Sequence, residues 1–231
     1  MMAVPYGLLF WAEQYVASSM TAVLFSAAPL VVALLTPLMM RHAVPRSAVF
    51  AMVIAFGALL NLFYRGFSTS STALIAGGAV LLAMLVSSWS VVYAKVRLHD
   101  LDAVISTGLQ LLFGAVVLLW GTWALEPHHP AHWTASALIA LLFLATLGSA
   151  AAFAVYYWLL KHMRPYQLST ISMIVPVIAV VEGSVFAREP IPLSMIAAML
   201  VVLGSVGFVL RAEAHHQDSF GSILFRQDKA E

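Results

Sequence analysis

The feature that most constrains this chain is a succession of long apolar runs separated by short polar breaks. The runs extend over residues 3–16, 18–40, 47–64, 73–94, 103–125, 134–160, 167–187 and 191–210. A helix that crosses the hydrocarbon core needs about 20 apolar residues at 1.5 Å per residue. Seven runs meet this need, whereas the first has 14 residues and would reach roughly 21 Å. The sequence therefore predicts an all-α, polytopic bundle of transmembrane helices.

Composition supports a membrane location and excludes several other functions. Only 9% of the residues are charged, against about 25% in soluble domains. The chain has no cysteine and a net charge of +1, which argues against thiolate metal sites, disulfides and nucleic-acid binding. The histidine-rich stretch 128–132 contains a proline that disrupts helical ligand spacing, so it is interpreted as a solvated loop. The predicted partner is the lipid bilayer, with no metal and no cofactor, and the oligomeric state is left open.

The distribution of lysine and arginine predicts the orientation. Because the breaks are short, alternate loops fall on opposite sides of the membrane. One side carries Arg41, Arg46, Lys95, Arg97, Lys161, Arg164, Arg211, Arg226 and Lys229. The other side carries only Arg65 and Arg188. Since positive residues accumulate on the cytoplasmic side, we expect an inner-membrane protein with a cytoplasmic C-terminus.

The tryptophans fall into two predicted groups. Trp120 and Trp123 lie next to the break at residues 126–133, as expected for an interfacial aromatic belt. Trp89 and Trp158 lie inside apolar runs and are interpreted as core residues.

An offset of 147 residues aligns the last three apolar runs with the first three. It matches Trp11 with Trp158, Pro29 with Pro176, Arg41 with Arg188, Pro45 with Pro192, Ser47 with Ser194 and Gly57 with Gly204. Matched runs are five segments apart, an odd number, so the two copies enter the membrane in opposite directions. Inverted repeats of this kind are typical of transporters, in which the substrate site lies between the halves.

The repeat also predicts how the chain is organised. Residues 1–64 would form the C-terminal part of a first repeat, residues 73–210 a second repeat, and residues 211–231 a cytoplasmic polar tail. Segments 73–94 and 103–125 have no counterpart before residue 3. We therefore expect an N-terminally truncated form that lacks about two and a half helices, the alternative being a naturally short protein with a re-entrant first helix.

Motifs in both halves carry a family resemblance. The first half has Trp11-Ala12-Glu13-Gln14-Tyr15, residues 19–22 and Ala28-Pro29-Leu30. The second half has Gly148-Ser149-Ala150, Tyr157-Trp158-Leu159-Leu160-Lys161, residues 176–183, Arg188-Glu189-Pro190 and Gly204. Together they resemble the third, fourth, eighth, ninth and tenth helices of the EamA-type domain of the drug/metabolite transporter superfamily. One departure is Arg41-His42, where the family usually has an acidic residue.

The resemblance implies a ten-helix protein with both termini in the cytoplasm. Members of the superfamily export or import amino acids, metabolites, nucleotide sugars or drugs without hydrolysing ATP. We therefore predict a gradient-driven secondary transporter, with export as the direction, and no enzymatic activity. The alternative is a membrane-embedded structural or lipid-modifying protein without transport activity.

Polar residues inside the apolar runs are the candidates for substrate contact or coupling. Glu182 is the principal one, because a charge at mid-membrane costs roughly 2.5–3.5 kcal/mol and tends to be functional. It would face another helix or an aqueous cavity and couple transport to protons, or it would reach the outer interface. The further candidates are Gln110, Trp89, Tyr93, Ser149, Tyr156 and Glu13, and the amide of Gln110 needs a polar partner in an apolar bundle. Pro29 and Pro176 are predicted to kink their helices.

Overall fold

The structure, a computed structural model, describes residues 3–41, 43–63, 70–98, 100–125, 134–187 and 193–211. These residues form α-helices and one π-helical segment, and they contain no strand. The first six helices are α1 Ala3–Ala12, α2 Ser18–Phe25, α3 Ala28–Met40, α4 Arg46–Phe63, α5 Ser71–Arg97 and α6 Ala103–Leu125. The later elements are α7 Ala135–Phe143, the π-helical segment Leu144–Ala151, α8 Ala152–His162, α9 Pro165–Ser169, α10 Ile171–Ala187 and α11 Leu193–Arg211.

Six stretches of the described chain are long and apolar enough to cross a membrane. They are Met20–Met40, Ser71–Arg97, Ala103–Ala124, Ala135–His162, Pro165–Glu182 and Leu193–Arg211. Two further apolar helices are shorter, Ala3–Ala12 and Arg46–Asn61. The predicted fold class, an all-α multi-pass membrane bundle, is confirmed. The predicted tail lies outside the described residues beyond Arg211, as does the histidine-rich stretch 128–132.

The run predicted as one helix over residues 18–40 is divided between α2 and α3. The Ser26 hydroxyl donates to the carbonyl of Val23 at 2.6 Å, which closes the end of α2. Pro29 follows in the first turn of α3, where its missing N–H and fixed φ are compatible with a helix start. The chain therefore breaks before Pro29, at a position where the sequence predicted a kink.

The run over residues 167–187 is interrupted in a similar way. The five-residue α9 ends at Ser169, and α10 begins after Thr170. The hydroxyls of both residues donate to carbonyls of α9, at 2.9 Å and 2.7 Å. Pro176 lies inside α10, and the kink predicted there stays a prediction. Two of the candidate spans are thus discontinuous helices.

The largest buried cluster joins α3, α4, α10 and α11. α4 and α11 have the most extensive contact of any helix pair in the described chain. Met52 and Leu59 of α4 are fully buried there with Val202 and Val209 of α11. Dispersion contacts between closely packed side chains hold such helices together, because lipid tails are as apolar as the side chains themselves.

A second cluster fixes α5 against α1 and α2. Small residues of α5, including Ala73, Ala76 and Gly77, let the helices approach closely. A Cβ atom placed on Gly77 would lie 3.5 Å from the terminal methyl of Met20. Small residues at the contact are the usual device for packing transmembrane helices, and here they set the positions of the helices around the cavity described below.

Trp89 and Trp158, which the sequence analysis assigned to the core, are not buried in the structure. Trp89 and Trp158 are 44% and 54% exposed, so their assignment to the core is wrong. Trp120 and Trp123 are also well exposed, near the end of α6, as an interfacial position requires. The physical reason is that lipid and core favour the same side chains, and hydropathy alone does not distinguish them.

Candidate substrate cavity

A cavity of about 520 Å³ lies among helices α1, α2, α5, α8 and α10. Its size falls within the range of roughly 300–1,000 Å³ that is usual for small-molecule sites. Its apolar lining residues include Leu9, Phe25, Val91, Phe153 and Val175. A mainly apolar wall with few polar groups is the ordinary composition of a binding pocket for an organic molecule.

The polar part of the lining consists mostly of hydroxyl groups. The polar lining residues are Tyr6, Glu13, Ser18, Thr21, Ser87, Ser90, Tyr156, Tyr157 and Ser172. Glu13 is the one charged residue among the described residues that line the cavity. It immediately follows α1, and its backbone N–H donates to the carbonyl of Leu9 at 2.9 Å. The described lining of the cavity is thus uncharged except for the carboxylate of Glu13.

An aromatic group of four rings, arranged as two edge-to-face pairs, lies on the α1 and α8 side of the cavity. The rings of Tyr6 and Phe153 meet edge to face, with centroids 6.3 Å apart. Tyr156 and Tyr157 meet edge to face at 5.8 Å. Such edge-to-face pairs contribute about 0.5–1.5 kcal/mol beyond the area that they bury. These contacts hold the rings in place around the cavity.

Gln110 lies behind this aromatic group and orients one of its rings. The hydroxyl of Tyr157 donates to Oε1 of Gln110 at 2.7 Å, and Nε2 of Gln110 donates to Oγ of Ser106 at 3.2 Å. The amide therefore has the partners that a polar group in an apolar bundle requires. These bonds join α6 to α8 and position Tyr157 at the cavity wall.

Lys95 joins α5 to α8 about one helical turn beyond the cavity lining. Its Nζ donates to the carbonyls of Leu160 and Lys161 at 2.6 Å and 2.8 Å, which are among the last carbonyls of α8. A positively charged side chain stabilises a helix C-terminus, where the carbonyl groups carry partial negative charge. We call this arrangement the Lys95 bridge. Only about 10 Å³ of space remains beside it, room for about one water molecule.

The structure brings together only some of the residues singled out from the sequence. Glu13 and Tyr156 line the cavity, and Gln110 supports it from behind. Trp89 and Tyr93 stack on each other, with centroids 5.0 Å apart, but they do not line it. The remaining two candidates, Ser149 and Glu182, do not line the cavity. Ser149 is in the π-helical segment, and Glu182 is exposed on α10 five residues before its end. Their functional roles stay predictions.

Several lining residues escaped the sequence analysis. Thr21 lies within the motif residues 19–22, but neither it nor Ser18 was singled out as a candidate, since hydroxyls in membrane helices more often serve close packing. Tyr6 and Phe153 resemble any other apolar residue of their runs. A usable signal did exist, because Tyr6 and Phe153 are separated by 147 residues, the offset of the repeat.

A bundle of six candidate spans, four of which line a cavity of substrate size together with α1, is typical of multi-pass membrane proteins of the transporter class. A family model described as "EamA-like transporter family" matches residues 74–211, which is more than half of the chain. The chain therefore belongs to the EamA-like transporter family, and the resemblance stated from the sequence is confirmed.

Individual relatives agree with this assignment. The chain is 28% identical over 199 residues to "Uncharacterized transporter YoaV" of Bacillus subtilis (strain 168), covering 85% of this chain and 68% of that protein. It is 27% identical to "Uncharacterized transporter YvbV" of the same strain, covering 65% and 52%. It is 22% identical to "Protein PagO" of Salmonella typhimurium, covering 87% and 67%. The chain thus spans about half to two thirds of these relatives.

A solved structure shows the same fold. It superposes with a TM-score of 0.76 at 17% sequence identity and covers 92% of this chain and 74% of that chain. At this identity the likeness concerns the arrangement of helices alone.

Proposed function

We propose that the chain is the core of a secondary transporter that exports small organic molecules through the cavity by alternating access. The observation that carries this proposal is the cavity itself, lined by five helices, and we propose that the Lys95 bridge closes one end of it. Opening that end while closing the other would expose the same site to the two sides of the membrane in turn. Gradient coupling, with protons as the coupling ion, is part of the proposal.

The relation of the cavity to the internal repeat supports this function. Three pairs of lining residues are separated by the offset of 147: Tyr6 and Phe153, Leu9 and Tyr156, and Phe25 and Ser172. The two divided spans, α2 with α3 and α9 with α10, also correspond at that offset, although the turn at residues 26–27 maps to residues 173–174 inside α10. Transporters place their sites between inverted repeats, with broken helices around them. The division into two repeats remains part of this proposal.

Filling the cavity should abolish transport. Ala22 lines the cavity, and Ala22→Trp would occupy much of its volume with an indole ring. In everted vesicles supplied externally with a panel of amines, amino acids and neutral metabolites, we expect substrate uptake by the parent protein and at least a tenfold loss in A22W. Leu119→Trp is the matched control, because Leu119 is 70% exposed on α6 and should tolerate an indole in lipid. Equal loss in both variants, or no flux of any compound, would favour the structural or lipid-modifying alternative.

We further propose a cell inner membrane location with the C-terminus in the cytoplasm, on the basis of the lysine and arginine bias. A reporter that is active only in the periplasm should give no signal when fused after Arg211. The same reporter inserted near Pro130, outside the described residues, should give a strong signal. The reverse pair of signals would contradict the topology without affecting the cavity.

A further inference from the structure

Thr21 differs from the other buried hydroxyl residues of the bundle. Its side chain is only 4% exposed, and Oγ1 is the one buried side-chain oxygen in the described chain that has no hydrogen-bond partner. Other buried hydroxyls donate to carbonyls of their own helix: Ser26, Thr36, Ser90, Thr107, Ser169 and Thr170. An unpaired buried polar group costs about 1–3 kcal/mol. Because Thr21 lines the cavity, a molecule bound there is in a position to supply the missing partner.

The charge on the cavity wall indicates the sign of that substrate. Glu13 contributes a carboxylate, and none of the described lining residues is a lysine, arginine or histidine. Glu13 ends the α1 side of the wall, and Ser18 and Thr21 begin the α2 side after a break of a few residues. Carboxylate and hydroxyl oxygens at one end of the cavity are acceptors, which suits a group with several N–H donors and a positive charge.

The remainder of the cavity suits the apolar part of an amine. Tyr6, Phe153, Tyr156 and Tyr157 present aromatic rings there. Aromatic faces attract organic cations by about 0.5–2 kcal/mol, with the larger values at desolvated sites. A carboxylate on the ligand, in contrast, would find no cationic side chain among the described lining residues.

We propose that the cavity binds a small organic monoamine in its ammonium form, attached to an aromatic or aliphatic body. Glu13 pairs with the charge, Thr21 Oγ1 accepts a hydrogen bond from the ammonium, and the aromatic group encloses the body. This inference rests on the proposed transport function, since it names the class of molecule that occupies the same cavity. It is distinct from a preference for amino acids, which carry a carboxylate as well.

The test measures binding to the purified chain in lipid nanodiscs by isothermal titration, with phenethylamine as the probe. We expect phenethylamine to bind at least tenfold more tightly than 2-phenylethanol or phenylalanine. Thr21→Val should weaken its binding roughly tenfold, as loss of a hydrogen bond to a charged group implies, and Thr21→Ser should retain it. Thr36→Val is the matched control, a buried threonine that is bonded within its own helix and lies outside the cavity lining, and it should change affinity less than twofold.

Thermal unfolding of the empty protein shows whether the variants remain folded. Thr21→Val removes no hydrogen bond that the structure contains, so its unfolding temperature should equal or exceed that of the parent. Equal affinity of the parent and Thr21→Val, or tighter binding of phenylalanine than of phenethylamine, would overturn the amine assignment. Transport of a compound without an amino group would also overturn the amine assignment, but it would support the transport function. Amine binding without any flux would instead contradict the transport function alone.

Discussion

Replacing Lys95 with methionine should open the end of the cavity that we propose the Lys95 bridge closes. Methionine preserves the length and apolar character of the stem but removes the donors to the carbonyls of Leu160 and Lys161. Hydrogen bonds from a charged group contribute about 1.5–3 kcal/mol, and 1.4 kcal/mol corresponds to a tenfold change in an equilibrium. We therefore expect the population that is open at this end to rise at least tenfold.

Access to the cavity can be measured by labelling a single introduced cysteine, because the chain has no cysteine of its own. Ser90→Cys places a thiol on the cavity wall about one turn from the Lys95 bridge. In everted vesicles, a membrane-impermeant maleimide should modify this thiol at least ten times faster in the Lys95→Met background. Lys95→Arg retains donors and should react nearly as slowly as the parent. Lys161→Met removes a charge at the same end but leaves the bridge intact, and it should also be slow. Equal rates in all four proteins would show that the bridge does not control access.

Removing the Glu13 carboxylate should reduce the flux of an amine at least tenfold. Glu13→Gln preserves size and hydrogen bonding but removes the charge that pairs with an ammonium, and no other described lining residue supplies one. Phenethylamine flux in vesicles at a fixed pH measures this effect.

Glu182→Gln is the matched variant for this experiment. It makes the same chemical change on α10, at an exposed position that does not line the cavity, and we expect flux within twofold of the parent. The coupling role predicted for Glu182 from the sequence would stand if Glu182→Gln lost its flux while Glu13→Gln kept it. In that case coupling would take place away from the cavity, and the amine assignment of Glu13 would fail.

The membrane-spanning character of the chain followed directly from the sequence. Hydropathy predicts spans well because a helix in lipid must satisfy all its backbone hydrogen bonds internally and expose apolar side chains. The family could also be recognised, since prolines, glycines and tryptophans at characteristic spacings survive when the apolar residues between them change. The short first run, which corresponds to α1, was likewise visible as a shortage of apolar residues.

The helix breaks were harder to predict. Pro29 marked a disturbance, but a proline inside an apolar run can kink a helix or begin a new one, and the Ser26 hydroxyl that closes α2 is a local contact. The π-helical segment at Leu144–Ala151 has no sequence signal in the apolar pattern. Both features depend on small differences between backbone hydrogen-bond patterns, which neighbouring helices decide.

The sequence by itself determined that the chain is a helical membrane protein, which family it belongs to, and that Gln110 needs a polar partner. Only the tertiary structure decided that Tyr157 is that partner, that Thr21 has none, and that Glu13 rather than Glu182 lies on the cavity wall. The physical reason is that transfer into lipid depends on the composition of each segment alone. A cavity depends instead on which faces of several segments meet, and side chains of similar hydropathy face lipid, core and cavity alike.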